Sequence, residues 1–542
     1  MISALLSTLS IGQPILSTNQ DAQLFDGLGS HRRKVCTSSV TAQKHFDQGL
    51  AFLFAFNHDE SIRSFTAATQ ADPNCAMAWW GIATANAPHI NNPSMTPEQT
   101  KDALEALSHA NRLLSKCTQA EKDLIVAAGT RFSLDEKFSR ADLDKKYANA
   151  MRAVWKKHPR DADIGAMFAE SLMDLRPWNQ WSQSGKPEPG TIEVTKTLAR
   201  VLKSSPNHPL ALHLSIHAWE ASKTPENAID SANRLRFLEP GLGHMVHMPS
   251  HTYVRTGMWK EAVDANKRAI EADAKYIKRR PEQGFYLVYM AHNHQMLSYA
   301  ATMRGQSEIA IKGMDALFDV VPEEVLNGMA PMIDGYAASI YEVRVRFGKW
   351  DEILAMPEPG ENFPIMRTIR YMARSVAYSA KGMPKEARDE QANFYAAWKN
   401  VPADAPIGNN SATAILQVAE ALMNGELLLA EGKTDRAIEM LNRAVRLEDR
   451  TKYNEPPDWL QPTRHALGAV LVRESKFADA ERVYKDDLTR LPNNGWSLYG
   501  LKQAYEGQAR VRDARRFEKA FTKVWADADT KISSSCMCVR GK

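Results

Sequence analysis

Apolar residues recur at helical spacing along most of the chain, in segments that Gly, Pro or Asn interrupt every 12 to 20 residues. A period near 3.6 residues indicates amphipathic helices, whereas the strict alternation typical of half-buried strands is almost absent. Short helices that stop at such regular intervals favour pairs of helices joined by tight turns. The pattern therefore predicts an all-α fold built from helical hairpins.

These hairpins follow an internal repeat. Near the C-terminus, large and small residues fit a frame of about 34 residues. They are Leu467, Gly468, Leu471, Ala480, Tyr484 and Pro492. The spacing resembles the tetratricopeptide repeat (TPR), in which small residues let the two helices of a hairpin approach closely. Further units fit around Gly49 and Phe65, around Gly425 and Leu441, and at three places between residues 216 and 317. The resemblance implies a TPR-like α-α superhelix (solenoid) of roughly nine to twelve hairpins with a concave groove.

Polar, Pro-rich stretches interrupt the repeats at residues 87–96, 175–190, 356–364 and 401–410. Clusters of this kind are typical of loops and seams. We expect an N-terminal segment over 1–23 that is a degenerate signal or disordered. The polar stretches then suggest helical regions over 24–185, 186–355 and 356–530. A flexible tail over 531–542 follows, in which Cys536 and Cys538 form a CxC pair. We expect this tail to be solvated, with binding of Cu(I) or another soft metal as the alternative.

Composition excludes several classes of function. The 68 Lys and Arg residues and 64 Asp and Glu residues leave a net charge of only +4, which gives no reason to expect a nucleic-acid partner. The chain lacks a run of about 18 apolar residues, so we expect no membrane span. Five cysteines are too few for a disulfide framework in 542 residues. Met1 to Leu16 lack the positive start of a signal peptide, which favours a cytoplasmic protein over an exported one.

Histidine is concentrated in one part of the chain. Eight of the 15 histidines fall within the 87 residues from His208 to His294. In the TPR frame, one helical stripe that faces the groove holds six of them and one glutamate. These residues are His213, His217, Glu220, His244, His247, His251 and His292. His294 falls on the packing stripe instead. Because Pro249 disfavours helix before it, we expect a helix to begin there and GLGHMVHM (241–248) to form a loop.

This pattern points to metal chemistry. Neutral imidazole is the commonest protein ligand for transition metals, and two histidines at i and i+4 can reach one ion. His213 and His217, like His247 and His251, have that spacing. We therefore predict a copper, iron or zinc site formed by the six histidines. Glu220 is the catalytic candidate, as a general base, a ligand or a group that orients an imidazole. An anion or a peptide in the groove is the alternative ligand.

Longer strings resemble one uncharacterised, mostly bacterial branch of TPR proteins. They include HFDQGLAFLFAFNHDESIRSF (45–65), HLSIHAWEAS (213–222) and GHMVHMPSHTYVRTG (243–257). The resemblance implies a TPR-like fold and a shared pocket that contains the six histidines. APHIN (87–91) departs from the branch, which leaves His89 without a predicted role. His58 joins the pocket only if the superhelix brings its N-terminal end to the groove.

Two functions follow from these observations. The first is a metal-dependent enzyme that acts on a small molecule or a peptide, oxidative with copper or iron and hydrolytic with zinc. The second is a non-catalytic scaffold that binds a peptide or a protein partner in its groove, which is the common use of TPR arrays. A fold alone does not establish catalysis, so the sequence leaves both open.

Overall fold

In the computed structural model, residues 23–281, 283–321 and 323–539 are described, and nearly all regular structure is helical. The predicted signal segment lies outside the described residues. Contacts divide the chain into two compact units: Met1–Thr252 with Ala265–Met290, and Tyr253–Asp264 with Ala291–Lys542. The sequence suggested three helical regions, and their boundaries stay a prediction. The all-α prediction is confirmed.

The α-helices that lie wholly within the first unit are Val40–Phe54, His58–Ala71, Ala76–Ala85, Pro97–Arg112, Gln119–Gly129, Arg140–Lys157, Ala162–Met173, Thr191–Ser204, Pro209–Glu220, Ile229–Leu235 and Gly243–His247. Short 3-10 turns are found at Leu114–Lys116, Pro225–Ala228 and Gly284–Tyr286. Three helices, Pro249–Arg255, Trp259–Arg279 and Leu287–Met303, contribute residues to both units.

The helices of the second unit are Ser307–Val320, Glu323–Gly328, Ala330–Ala337, Ser339–Arg346, Trp350–Ala355, Pro364–Lys381, Pro384–Trp398, Ala412–Ala430, Thr434–Glu448, Thr463–Arg473, Phe477–Arg490, Gly495–Gly507 and Val511–Val524. Two short antiparallel strands, Pro406–Ile407 and Asn410–Ser411, pair with Pro406 opposite Ser411. The helix Ala412–Ala430 is long and apolar enough to cross a membrane, but 72% of it is buried inside the fold, as in a core helix.

Local chemistry explains where many helices begin. Thr96, Thr118 and Ser139 each form a capping box, in which the side chain accepts the backbone N–H three residues later and the side chain there bonds back. Small residues set the packing inside the hairpins. A Cβ atom added to Gly49 or Gly81 would lie within 2.7 Å of the Phe65 ring. These contacts explain the small and large positions of the repeat frame.

The C-terminal segment differs from the expected flexible tail. Ser535, Cys536, Cys538 and Val539 are buried, and the last three belong to the hydrophobic core of the second unit. A disulfide bond joins Cys536 and Cys538. The prediction of a solvated tail is therefore wrong for residues 534–539. The position of the segment near the end of the chain favoured a solvated tail, but its apolar side chains pack into the core.

Candidate metal centre

The helix Pro209–Glu220 carries three of the predicted site residues on one face. Pro209 occupies the first turn, where no backbone N–H is needed, and His208 caps the helix by accepting the N–H of Ala211 at Nδ1 (3.2 Å). His213, His217 and Glu220 follow at intervals of four and three residues, so they lie one above the other. All three side chains are buried.

Three of the other four residues come from two consecutive short helices. His244 and His247 lie on Gly243–His247, and His251 lies on Pro249–Arg255. The sequence predicted a loop for the first of these segments, and that prediction is wrong. Pro249 ends the first helix without unwinding it, because Met248 keeps a helical backbone conformation. Gly243 is required at the start of this segment, since a Cβ atom there would overlap the carboxylate of Asp273.

On the helix Pro209–Glu220, each histidine is oriented through its Nδ1 atom. His213 Nδ1 lies 2.9 Å from the carbonyl oxygen of Phe54, and His217 Nδ1 lies 3.0 Å from Glu220 Oε1. Both partners are acceptors, so both Nδ1 atoms carry the proton and donate. A neutral imidazole has one N–H. The Nε2 atoms of His213 and His217 are therefore lone-pair atoms, and they face each other at 3.1 Å.

The second pair of histidines repeats this arrangement. His251 Nδ1 donates to Glu220 Oε2 at 2.8 Å, and His247 Nδ1 donates to Asn266 Oδ1 at 2.6 Å. The Nε2 atoms of His247 and His251 then face each other at 2.7 Å. Two lone pairs in such contact repel unless a positive charge lies between or beside them. Imidazole rings whose Nδ1–H is anchored on an oxygen acceptor, so that Nε2 carries the lone pair, have the arrangement of metal ligands.

His244 completes a ring of five imidazoles. Its ring centre lies 5.0 Å from that of His213 and 6.0 Å from that of His247. The backbone N–H of His244 donates to the hydroxyl of Tyr286 (3.1 Å), which fixes the start of the short helix. Neither ring nitrogen of His244 has a hydrogen-bond partner within the described residues, although both are buried. A buried imidazole in that state is costly unless a ligand satisfies it.

Burial favours the neutral form of His213 and His244. Loss of solvation, followed by the neighbouring histidines, lowers the pKa of His213 and of His244 well below the ordinary value. The neutral form is the one that binds metal. Glu220 differs: despite its burial, the adjacent His217 and His251 lower its pKa to about 2. It is therefore a fixed anion behind two imidazoles. Its contacts are those of an orienting group more than of a general base.

We call His213, His217, Glu220, His244, His247 and His251 the histidine cluster. All six belong to the first unit, and the structure brings them together as the sequence stripe predicted. The seventh predicted residue, His292, belongs to the second unit, on the helix Leu287–Met303. Its membership of the site stays a prediction, as does metal binding itself.

Sequence reasoning missed an aromatic group beside the cluster. The Phe56 ring lies 4.5 Å from His213 on one side and 4.5 Å from His89 on the other, and His89 lies 4.4 Å from His58. Burial lowers the pKa of His58 to about 4 and lowers that of His89 well below its ordinary value. Phe56 has a positive φ of 57° in the turn of the first hairpin, which is rare for a bulky residue. In the sequence, the unusual string FAFNH (54–58) is the one signal of this aromatic group.

A small cavity adjoins the cluster. Its volume is about 10 Å³, and His217 and Glu220 form part of its wall. The remaining wall is mostly apolar and includes Ile90, Met173 and Trp178. A space of this size holds about one water molecule. The cluster therefore has room for a very small ligand beside His217 in this conformation.

A second set of acidic and histidine side chains in the first unit has a different character. Asp163 Oδ1 accepts from His31 Nε2 (2.9 Å) and His208 Nε2 (3.0 Å), and its Oδ2 accepts from Arg33 (2.8 Å). Arg33 already supplies the positive charge that a metal would provide. This set reads as a structural ion pair that holds the cap of the helix Pro209–Glu220.

Residues 46–92 match the sequence profile of the tetratricopeptide repeat. This stretch covers the end of Val40–Phe54 and the helices His58–Ala71 and Ala76–Ala85. The chain carries a tetratricopeptide repeat. The TPR prediction is thereby confirmed, while the narrower bacterial branch stays a prediction. No curated protein matches this chain in sequence.

Solved structures resemble this chain only distantly. A human IFIT1 dimer with m7Gppp-AAAA is 12% identical, with 91% of each chain covered and a TM-score of 0.32. The APC/C hetero-tetramer Cut9-Hcn1 is 12% identical over 90% of this chain and 74% of that chain, with a TM-score of 0.30. The TPR domain of P58(IPK) is 13% identical over 89% and 92%, with a TM-score of 0.20. At these scores the likeness carries no argument about function.

Proposed function

We propose that this TPR protein is a metalloprotein that binds a transition metal through the histidine cluster. The ligands are the Nε2 atoms of His213, His217, His247 and His251, with His244 as a further ligand. One observation carries the proposal: the Nε2 atoms of His213 and His217 face each other at 3.1 Å and those of His247 and His251 at 2.7 Å, while the Nδ1 atom of each of these four rings is anchored on an oxygen. Ligands about 2.0–2.1 Å from one ion are separated by roughly 3 Å.

A cation explains the cluster better than the alternatives. Protonation of His213 or His244 is opposed by their burial, which lowers the pKa of both rings. An anion would meet lone pairs and the carboxylate of Glu220, so it would be repelled. A peptide in an open groove would not touch these side chains, because the five histidines are at most 4% exposed.

The donor set favours copper or zinc over iron. Non-haem iron sites of the common kind use two histidines and one carboxylate ligand. Here both oxygens of Glu220 are occupied by Nδ1–H donors from His217 and His251. The remaining donors are imidazoles, which suit copper and zinc. Iron would need Glu220 to release one histidine.

We further propose that the bound metal takes part in a reaction on a small molecule. Copper would supply oxidative chemistry and zinc an activated water. The protein residues have separate tasks: Glu220 orients two imidazoles and supplies negative charge, and Phe54 and Asn266 orient two more. Trp178, whose ring lies 5.3 Å from His217, covers the small cavity and limits which ligand can enter.

Elemental analysis of untagged protein tests the proposal. We expect a stoichiometric amount of copper or zinc in the purified chain and its loss in His213→Ala/His247→Ala. His109→Ala/His158→Ala is the matched control, since it also removes two histidines but neither belongs to the cluster. Native protein without metal that also fails to bind added Cu²⁺ or Zn²⁺ would contradict the proposal.

The TPR match at residues 46–92 favours a second candidate, a scaffold that binds a peptide or protein partner. In that case the cluster would be a structural feature, and its variants would lose stability without losing an activity. Isothermal titration can measure how tightly a captured partner binds to the metal-free chain and to the metal-bound chain. This measurement separates the scaffold from the metalloprotein. Binding that is independent of metal supports the scaffold.

A further inference from the structure

The second unit contains a separate group of chemically reactive side chains. Cys536 and Cys538 are buried, at 1% and 6% exposure, and a disulfide bond joins them in the structure. The carboxylate of Glu426, from the core helix Ala412–Ala430, lies with its Oε1 atom 3.0 Å from the sulfur of Cys538. The group thus combines two sulfur atoms and one carboxylate in the interior.

The amide of Gln461 is a fourth polar group, next to Cys536. Its Nε2 atom lies 3.6 Å from the sulfur of Cys536, and its Oε1 atom is buried without a hydrogen-bond partner in the part of the chain that the structure describes. Rotation of the amide by half a turn exchanges these two atoms at no cost in shape. The amide oxygen would then face the sulfur atoms.

The backbone next to the cysteines is held independently of the disulfide. The Ser535 hydroxyl donates to the carbonyl of His465 at 2.8 Å and lies 2.6 Å from the hydroxyl of Tyr484. The buried guanidinium of Arg346 donates to the Ser535 carbonyl at 3.3 Å. The segment is therefore expected to stay docked when the disulfide opens, with both sulfur atoms beside Glu426.

We propose that the reduced form of this group is a second metal site, specific for a thiophilic divalent cation of the zinc type. Its ligands are the sulfur atoms of Cys536 and Cys538, a carboxylate oxygen of Glu426 and the amide oxygen of Gln461. Two thiolates, a carboxylate and a neutral oxygen match the four ligands that zinc prefers. The site is distinct from the histidine cluster, which belongs to the first unit.

Reduction followed by metal binding converts the disulfide form of this group into the metal-bound form. A dithiol reductant transfers two electrons and two protons to the Cys536–Cys538 disulfide, which gives two thiols and the oxidised, cyclic form of the reductant. Binding of the cation then displaces the two thiol protons to solvent. The two thiolates and the Glu426 carboxylate bring three negative charges. The dication neutralises two of them, and the positive charge of Arg473, which is also paired with Glu474 at 2.8 Å, acts on Glu426.

Cadmium is the probe for this site, because its bond to thiolate gives an ultraviolet charge-transfer band that histidine ligands do not give. The full chain is reduced with dithiothreitol, freed of reductant without air and titrated with Cd²⁺. We expect one Cd²⁺ per chain with this band and no such band before reduction. Cys536→Ser/Cys538→Ser should abolish the band. Cys36→Ser/Cys117→Ser, which removes two free cysteines elsewhere, should keep it.

A second variant tests the role of the carboxylate. Glu426→Gln should weaken Cd²⁺ binding at least tenfold and keep the far-ultraviolet circular dichroism of the native chain. The proposal is wrong if the reduced chain gives no band. It is equally wrong if the band persists in Cys536→Ser/Cys538→Ser. An unchanged affinity in Glu426→Gln would remove the carboxylate from the site and overturn the ligand set.

Discussion

His465 in the second unit and the histidine cluster in the first unit are both buried, yet their ring nitrogens have different partners. His465 Nε2 donates to Asp487 at 2.9 Å, and its Nδ1 accepts from Arg346 at 3.0 Å. One proton and one lone pair are each matched by a fixed group. In the cluster, the protons are matched but the lone pairs of the Nε2 atoms meet each other.

This difference separates a structural histidine from a candidate ligand. Burial, a lowered pKa and a nearby carboxylate are common to both places, because burial lowers the pKa of His465 as it does that of His213. The deciding property is what the second nitrogen faces. A hydrogen-bond donor there completes a network, whereas another lone pair leaves a position that a cation can fill. Variants in each of the two places test whether this property separates a structural histidine from a ligand.

The largest effect is expected from Asp487→Ala in the second unit. Asp487 accepts from His465, Asn494 and Ser497, and its charge faces the buried Arg346. Its removal leaves a buried guanidinium without its anion, which should cost about 3–5 kcal/mol of unfolding free energy. Urea denaturation measures the loss. Metal content per folded chain should not change, and a fall in bound metal would contradict the comparison.

Metal removal should produce the next largest effect, and it should act on the histidine cluster. At a free metal concentration about a hundred times Kd, binding to the native state adds roughly 2.7 kcal/mol to the unfolding free energy. A chelator should therefore lower the thermal midpoint of the native chain. His213→Ala/His247→Ala should give the same midpoint with and without the chelator. An equal shift in that variant would place the metal elsewhere.

Glu220→Gln should weaken metal binding while the fold persists. The amide retains one acceptor oxygen, so only one of His217 and His251 keeps its anchor. Loss of such an orienting group costs about 10- to 100-fold in metal affinity. Competition with a chromophoric chelator measures this change. Glu239→Gln, another buried glutamate of the first unit outside the cluster, is the matched control and should bind normally.

The last prediction concerns pH and the second unit. Burial raises the pKa of Glu342 from 4.5 to about 8, although the backbone N–H of Leu460 opposes this rise. The folded chain thus holds a proton that the unfolded chain releases between about pH 4.5 and 8. Stability from this group is greatest below pH 4.5 and falls as pH rises through that window.

Glu342→Gln tests that dependence because it removes the titrating group and keeps the shape. Urea midpoints of the native chain should decline from about pH 4.5 to about pH 8 more steeply than those of the variant. Glu308→Gln, an exposed glutamate of the same unit, should follow the native curve. Parallel curves for the native chain and Glu342→Gln would show that Glu342 does not titrate in this range.

Local spacing predicted the parts of the site that one helix can encode. His213 and His217, four residues apart on Pro209–Glu220, needed only the helical period to share a face. The small residues of the repeat frame, such as Gly49 against Phe65, were predictable for a similar reason. These features depend on neighbours within about one repeat of the chain.

The remaining contacts come from other elements of the fold, which the spacing of residues within one helix cannot locate. Phe54 orients His213 across 159 residues, and Asn266 orients His247 across 19. Neither partner has a motif, since one is a backbone carbonyl and the other an ordinary amide. Cys538 meets Glu426 across 112 residues by docking of the C-terminal segment. Packing of whole elements decides such contacts, and a single sequence does not record it.

The carbonyl of Phe54 links the repeat to the chemistry of the cluster. At the end of Val40–Phe54, the carbonyls of residues 51, 52 and 53 accept N–H groups from the turn, and that of Phe54 is left for His213. The geometry of the first hairpin turn thus sets the angle of an imidazole. An insertion in the turn at 55–57 would rotate that oxygen away from His213. The length of this turn is therefore under the same constraint as the cluster itself.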